Sequence, residues 1–414
     1  MAALKPVRGT HDLLPKEMRA HRRIMDEARE IAERYGFEEM ATPIFESSDV
    51  FRRTLGDTSD IVTKEMYTFT TKGGEEITLR PENTAGVARC FISEGLAQSV
   101  PLKFFYAGPM FRHERPQKGR QRQFHQIGIE TIGVAAPMAD IEVIAAGARI
   151  LADLGLKDIT HLQLNTLGDP ESRDAYRAAL VEYFSKHTEA LSTESQERLT
   201  RNPLRILDSK NDGDQVIIAD APAFGDYLND NSREFFDKVK NGLSELGIPF
   251  QLNNRLVRGL DYYTHTAFEF TTTQLGAQDA VMAGGRYDGL IQTMGGPSTA
   301  GVGWAAGMER LAMLCGEAPP GQRPVALVPL GGDAEAKSLP LAEVLRASGL
   351  RVDVGYSGNL GRRMKRANRL NASVAVLIGD DELAKEVATV RDMDGGDQVE
   401  VPLAQLSEWL SKYR

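Results

Sequence analysis

The chain has 414 residues, 42% hydrophobic and 26% charged, with a formal net charge of −9. Such a composition belongs to a globular protein of roughly two to three domains, large enough to fold on its core without disulfides or metal. Its charge argues against indiscriminate polyanion binding, because that affinity scales with the phosphates neutralised. The two cysteines, Cys90 and Cys315, are far apart and no C-x-x-C occurs, which argues against a disulfide framework or a zinc ribbon and for a reducing compartment. No run of eighteen apolar residues and no N-terminal apolar h-region is present, so a cytoplasmic protein that does not span a membrane is expected.

In chain order, residues 15 to 35 predict an amphipathic helix. Pro15 sits in its first turn, Met18, Met25, Ala28, Ala32 and Tyr35 recur at three- and four-residue spacing, and Gly36 stops it. "EEITLRPE" (75–82) reads as strand and turn, and a short helix begins near Thr84. "LKFFYAGPMFR" (102–112) and "QFHQIGIETIG" (123–133) read as antiparallel strands joined by a hairpin loop. A helix is expected over 139–155 and a helical insertion over about 170–250. Strand signals return at "GLDYYTHTAFEFTT" and "DAVMAGGRYDGLI", and "GVGWAAGMERLAMLC" (301–315) reads as a Gly-punctuated helix. "GEAPPGQRP" (316–324) is the clearest linker. Strands and helices alternate beyond it, so the expected division is a first domain over 1–322 and a small α/β domain over 323–414.

Positive charge is concentrated in two places. "FRHERPQKGRQRQFHQ" (111–126) holds five arginines and lysines against one acid, Glu114, and "GRRMKRANR" (361–369) holds five and no acid. The first is either a solvated hairpin tip or an anion clamp, and Arg112, Arg120 and Arg122 suit bidentate phosphate recognition. On the following strand Phe124, Gln126, Gly128, Glu130 and Ile132 share one face. Gly128 would leave room for a ligand between Gln126 and Glu130, whose Cα atoms lie ~13 Å apart in a strand; a solvated strand face is the alternative. Arg258, entering an apolar strand with two tyrosines, needs an anionic partner. "AGGRYDG" lacks the ending of a P-loop and "GVGWAAG" the spacing of a Rossmann turn. The glycines Gly303 and Gly307 would let a helix pack closely on a sheet. His113 and His125 show no metal-ligand spacing and His265 has no neighbouring partner, so all seven histidines are read as non-ligands and no metal motif is assigned.

The order of these weak signals is distinctive. The N-terminal helix leading to "ATPIFE", the F-R-x-E–loop–R-x-x-x-F strand pair and a segment containing M-E-R resemble the three motifs of class II aminoacyl-tRNA synthetases. "RGLDYYT" and "AGGRYDG" resemble the two signatures of the histidyl-tRNA synthetase family, and "RGTHDLLP", "LRPENTA" and the C-terminal α/β domain fit it. The resemblance spans the chain. It implies an α+β fold: an antiparallel six-stranded sheet with flanking helices and a helical insertion, a C-terminal anticodon-binding domain, and a homodimer assembled through the first motif. It implies ATP with Mg²⁺, L-histidine and histidine tRNA as ligands.

By the same resemblance Arg112, Glu114, Arg120, Phe124 and Arg310 would bind ATP, with Phe124 and Arg310 on opposite faces of adenine. Glu82, Thr84 and Gln126 would receive the histidine ammonium and Glu130 and Tyr263 grip its imidazole, in a pocket lined by Tyr262 and Tyr287, with Asn83 and Arg258 also counted among the histidine-binding residues. Arg258 and Arg112 would stabilise charge at the α-phosphate. Gln117, Arg122, Arg362, Arg363, Lys365 and Arg366 would contact tRNA. Asn83 stands where bacterial members commonly carry glycine, and Gln121 where an aromatic is common. A non-catalytic regulatory subunit of ATP phosphoribosyltransferase, built on the same core, is the alternative; such subunits generally lack the anticodon domain and carry degraded "RGLDYYT" signatures.

Overall fold

The computed structural model describes residues 3–55, 61–256, 262–276 and 280–414. The chain divides into two compact units, Met1–Ala318 and Pro319–Arg414. The first is built on an eight-stranded sheet. Its strands run in the order Glu38–Glu39, Leu102–Phe111, Gln123–Ile132, Gly301–Gly307, Ala280–Arg286, Thr264–Thr271, His161–Thr166 and Phe250–Leu252. The six inner strands pair antiparallel, and the short strand at each edge pairs parallel.

Alternation along these strands sends side chains into two separate apolar layers. Ile127, Ile129, Val302, Trp304 and Ala306 pack into one layer with the helices Pro15–Arg34, Met138–Asp153, Asp230–Glu245 and Met308–Cys315. Tyr106, Ile132, Tyr262, Tyr263 and Tyr287 join the other with the helix Thr84–Ser93. In the N-terminal helix the buried stripe is His21, Ile24, Ala28, Ile31 and Ala32, whereas Met18 is exposed.

The helix expected over 301–315 is half strand. Gly301–Gly307 inserts between Gln123–Ile132 and Ala280–Arg286, and the helix begins only at Met308. The apolar residues Val302, Trp304 and Ala306 recur with period two, which is the strand repeat. Gly303 therefore packs no helix. A Cβ there would lie 2.6 Å from the carboxyl carbon of Glu130 on the neighbouring strand. Gly128 also differs from expectation: the space its missing side chain leaves is taken by the Tyr106 ring, not by a ligand.

The insertion has its own core of Tyr176, Leu180, Phe184, Leu191, Ile206, Leu207, Ile218 and Phe224. The helix Asp230–Glu245, expected to belong with it, instead buries Phe236, Val239 and Leu243 in the main core. Fully buried Asp214 organises the insertion: its carboxylate accepts from Ser192 N at 2.7 Å and from the hydroxyls of Ser192, Ser195 and Ser209 at 2.7, 2.6 and 2.5 Å. Burial pushes this carboxyl up, but the four hydrogen bonds outweigh it and hold the group at about 2. Because the folded value lies below the ordinary one, the stability it contributes is present above about pH 4 and is lost as pH falls towards 2. Asp214→Asn is expected to destabilise the insertion by ~3 kcal/mol, since it sets an amide donor against hydroxyl donors. Denaturant melts at pH 7 and pH 3 measure it; the gap between variant and wild type should narrow in acid.

The second unit is a five-stranded sheet in the order Val352–Val354, Val325–Leu330, Val374–Gly379, Val387–Asp392 and Gln398–Pro402. The first three strands are parallel, as crossover helices require, and the last two run antiparallel.

Candidate active site

A cavity of about 360 Å³ opens in the first unit, over the face of the sheet that carries Gln126. Its lining combines two kinds of chemistry, an acidic and a basic group of side chains. Glu82, Thr84, Tyr262, Tyr263 and Tyr287 supply carboxylate and phenol, while Arg112, Arg120, Phe124 and Arg310 supply guanidinium and an aromatic ring; Gln126 also lines it.

Hydrogen-bonded to the acidic group, Glu130 is fully buried. Its carboxylate accepts from Thr84 Oγ1 at 2.6 Å, Tyr287 OH at 2.5 Å and Tyr106 OH at 3.4 Å, so it is tied to two residues that line the cavity. Burial, opposed by these hydrogen bonds, raises its pKa to about 8. Glu82 starts the helix Thr84–Ser93, accepting from Thr84 N at 2.7 Å and Ala85 N at 3.0 Å; the helix N-terminus favours a carboxylate there. Burial nevertheless raises Glu82 above the ordinary range. Burial also raises Tyr106, Tyr262 and Tyr287 well above the ordinary phenol value, so all three remain hydroxyl donors at neutral pH. Two buried carboxyls with little cationic compensation favour a ligand that brings its own N–H groups.

In the basic group Arg112 Nε donates to Pro81 O at 2.9 Å, and its guanidinium lies 5.2 Å from the centre of the Phe124 ring. Glu114 pairs with Arg120 at 3.1 Å and with Arg112 at 3.8 Å, holding both arginines on one wall. Arg310 Nε donates to Gly119 O at 3.3 Å and Nη1 to Ala280 O at 2.6 Å, which fastens the hairpin loop to the helix Met308–Cys315. Two further carboxylates, Glu269 and Glu309, line the cavity.

Several residues expected in the site lie elsewhere. Asn83 is buried beside the cavity with its Oδ1 facing Thr42 Oγ1 and Arg80 Nη1, at 2.5 and 3.1 Å. Its φ of −115° is ordinary for any residue, so the turn has no need of glycine. Gln121 does line the cavity. Arg122 holds the N-terminal segment: it donates to Arg8 O and Glu114 O, and its side chain packs in the space left by Gly9. Gln117 is exposed at the loop tip, bridged to Arg120. Arg258 lies outside the described residues.

In the second unit the helix Leu360–Arg369 turns Arg362 and Lys365 outward. Arg363 corrects the sequence reading. It is buried and donates to Pro329 O, Gly358 O and Glu335, so no phosphate can reach it. It shares the inward helix face with Ala367, four residues on. Arg366 forms a bidentate pair with Asp353, both distances 2.8 Å.

The sequence reading missed Tyr106, Glu269 and Glu309. Glu269 had a visible signal, a lone carboxylate in "AFEF" where the period-two pattern puts it opposite the phenylalanines. Tyr106 had none, because only its cross-strand pairing with Gly128 brings it to Glu130.

The histidyl-tRNA synthetase family matches residues 9–311, and an anticodon-binding domain family matches residues 324–413. A histidine–tRNA ligase of Rhodospirillum rubrum is 63% identical over the whole of both chains. Another, of Gluconacetobacter diazotrophicus, is 54% identical over 99% of each. The crystal structure of apo histidyl-tRNA synthetase from S. aureus superposes with a TM-score of 0.84 at 36% identity, covering 99% of this chain and all of that one. With its family model covering residues 9–311 and relatives of 63% and 54% identity along essentially the whole chain, the chain belongs to the histidyl-tRNA synthetase family.

Proposed function

We propose that the protein activates L-histidine with ATP and transfers it to the 3′ end of histidine tRNA. The observation that carries this reading is that one cavity unites two chemistries: carboxyls and phenols that suit an ammonium and an imidazole, and arginines with Phe124 that suit a nucleotide. In the first step a histidine carboxylate oxygen attacks the α-phosphorus of ATP. The new O–P bond forms as the bond to pyrophosphate breaks, giving histidyl-adenylate. In the second, the terminal ribose hydroxyl of the tRNA attacks the activated carbonyl carbon and AMP leaves.

Glu82, Thr84 and Gln126 take the ammonium and Glu130 with Tyr263 the imidazole, while Arg112 and Arg258 offset the charge that develops at the α-phosphate. Phe124 offers a face to adenine, and Arg310 the other. The metal that accompanies ATP is Mg²⁺; Glu114 and Glu269, both lining the cavity, are the hard oxygen donors that ion accepts. ATP–pyrophosphate exchange measured across the twenty amino acids tests the proposal. Histidine alone should drive exchange, and exchange driven by another amino acid, or by none, would overturn it. The regulatory-subunit alternative draws no support from a second unit that matches an anticodon-binding family.

Assembly as a homodimer and a cytoplasmic location belong to the proposal too. Ile44, Phe45 and Phe69 leave an exposed apolar surface at the small sheet Phe45–Ser47, Tyr67–Thr70 and Glu76–Leu79, as a subunit interface would. Among the described residues no helix is long and apolar enough to cross a membrane. Anticodon-side binding by the outward face of the helix Leu360–Arg369 carries its own prediction. The double substitution Arg362→Ala, Lys365→Ala should weaken tRNA binding and lower the slope of log affinity against log salt by about 1.5, at ~0.7–0.9 for each phosphate no longer neutralised. Exchange should be unchanged. Salt titrations of tRNA affinity measure the slope.

A further inference from the structure

Beside the cavity, three potential metal ligands from three elements meet. His21 comes from the N-terminal helix, His125 from the strand Gln123–Ile132 and Glu309 from the helix Met308–Cys315, and their donor atoms all lie within 4.8 Å of one another. We propose that His21, His125 and Glu309 form a binding site for a divalent transition metal of the zinc class, whose occupation opposes amino-acid activation.

The geometry is close to what such an ion needs. His125 Nδ1 and Glu309 Oε1 are 2.9 Å apart. A zinc ion sits ~2.0–2.1 Å from imidazole nitrogen and carboxylate oxygen, so a 2.9 Å separation corresponds to an angle of roughly 90° at the metal, and an opening to about 3.3 Å gives the tetrahedral angle. The His21 ring stands edge-on to that of His125, with centroids 5.3 Å apart, and one of its nitrogens lies within 4.8 Å of both other donors, a distance that side-chain adjustment must shorten on binding. A second cavity, of about 420 Å³, opens on the same spot. Its walls include His21, Glu309 and also His11 and Glu17, which leaves room for water or a fourth protein donor from the N-terminal segment. Two imidazoles and a carboxylate with an open position make a donor set for zinc, cobalt or nickel, not for magnesium or calcium.

The link to activation runs through Glu309, which lines both cavities. Its carboxylate also accepts the backbone N–H of His125, at 2.9 and 3.1 Å from its two oxygens. That bond fixes the strand between Phe124 and Gln126, which face the nucleotide and the amino acid. A metal drawing the carboxylate towards His21 loosens this anchor. Metal binding stands apart from the proposed function; only its effect on exchange rests on that reading.

The test titrates the metal-free full-length protein with Co²⁺ and follows visible d–d absorption, with Zn²⁺ displacing the cobalt. Expected is one equivalent bound with nitrogen and oxygen ligation, and affinity lowered at least ~10-fold in both His21→Ala and the size-conserving His21→Gln. Neither variant should change exchange in the absence of zinc, and both should be less inhibited by it than the wild type. Cys90→Ser and Cys315→Ser should leave the spectrum unchanged. Absence of binding, a spectrum unmoved by a folded His21→Gln protein, or bands that disappear with either cysteine would each overturn the site. Binding as expected but without inhibition of exchange would keep the site and overturn its link to activation.

Discussion

Glu130→Gln is expected to raise the KM for histidine ~10²-fold or more, while the KM for ATP stays within about threefold. A pocket that pairs its buried polar groups with a substrate loses discrimination of that order or greater when the pairing is removed. In this protein the carboxylate is fully buried and receives hydroxyls from Thr84 and Tyr287 on its two oxygens. To receive the imidazole N–H the group must offer an acceptor beside the hydroxyls it already holds, and glutamine replaces one of its two oxygens by an NH2 group that only donates, leaving a buried donor to reorient or go unpaired. The basic group contains none of these residues, which is why ATP should be spared. Histidine-dependent exchange at varied histidine and varied ATP measures both constants, and an unchanged histidine KM would remove Glu130 from the site. A pH readout accompanies it. The folded carboxyl titrates near 8, raised by burial, above its ordinary value of 4.5. Its contribution to stability is therefore present below about pH 4.5 and is lost as pH rises through about 8. Glu130→Gln should abolish this part of the alkaline decline in melting temperature.

Gly303→Ala should be nearly as damaging, for a steric reason. A Cβ at this position would overlap the Glu130 carboxylate and the Ile129 carbonyl. Neither can yield cheaply: the carboxylate is held by hydroxyl hydrogen bonds, and the carbonyl belongs to the paired neighbouring strand. Overpacking of this kind costs typically 1–3 kcal/mol and more where backbone is involved, so a loss of ~3 kcal/mol is expected together with a ~10²-fold fall in histidine-dependent exchange. Gly307→Ala, in the same strand, is the control for stability. Its new methyl would meet nothing closer than Arg310 Cδ at 3.8 Å, and its melting temperature should stay near that of the wild type. Equal destabilisation by the two substitutions would mean that the strand, not the fit against Glu130, accounts for the effect.

Much of the cavity's lining was legible in the order of residues along the chain. Period-two alternation placed Phe124, Gln126 and Glu130 on one face, and the charge count marked the hairpin loop that carries Arg112, Glu114 and Arg120. All of those residues are on or tied to one cavity. Both features are local, since a strand's facing and a loop's charge depend only on near neighbours in sequence. The same local reading mistook Gly301–Gly307 for a helix, because glycine suits either close packing between elements or a tight strand approach. It also counted Arg363 with the surface arginines, because a run of basic residues does not reveal which one a helix turns inward.

Pattern along the chain specified most of the elements and the linker near 316–324, while the family came from the resemblance of its motifs. What folding added was which distant residues touch. Gly303 meets Glu130 through the register of two strands far apart in sequence. Arg122 is spent on the N-terminal segment around Gly9, and His125 is joined to Glu309 across 184 positions. Histidine spacing gave no hint that His21, His125 and Glu309 meet, since they sit on separate elements. Such contacts depend on strand pairing and helix packing between remote segments, and a pattern with a period of two or 3.6 residues contains no term for either.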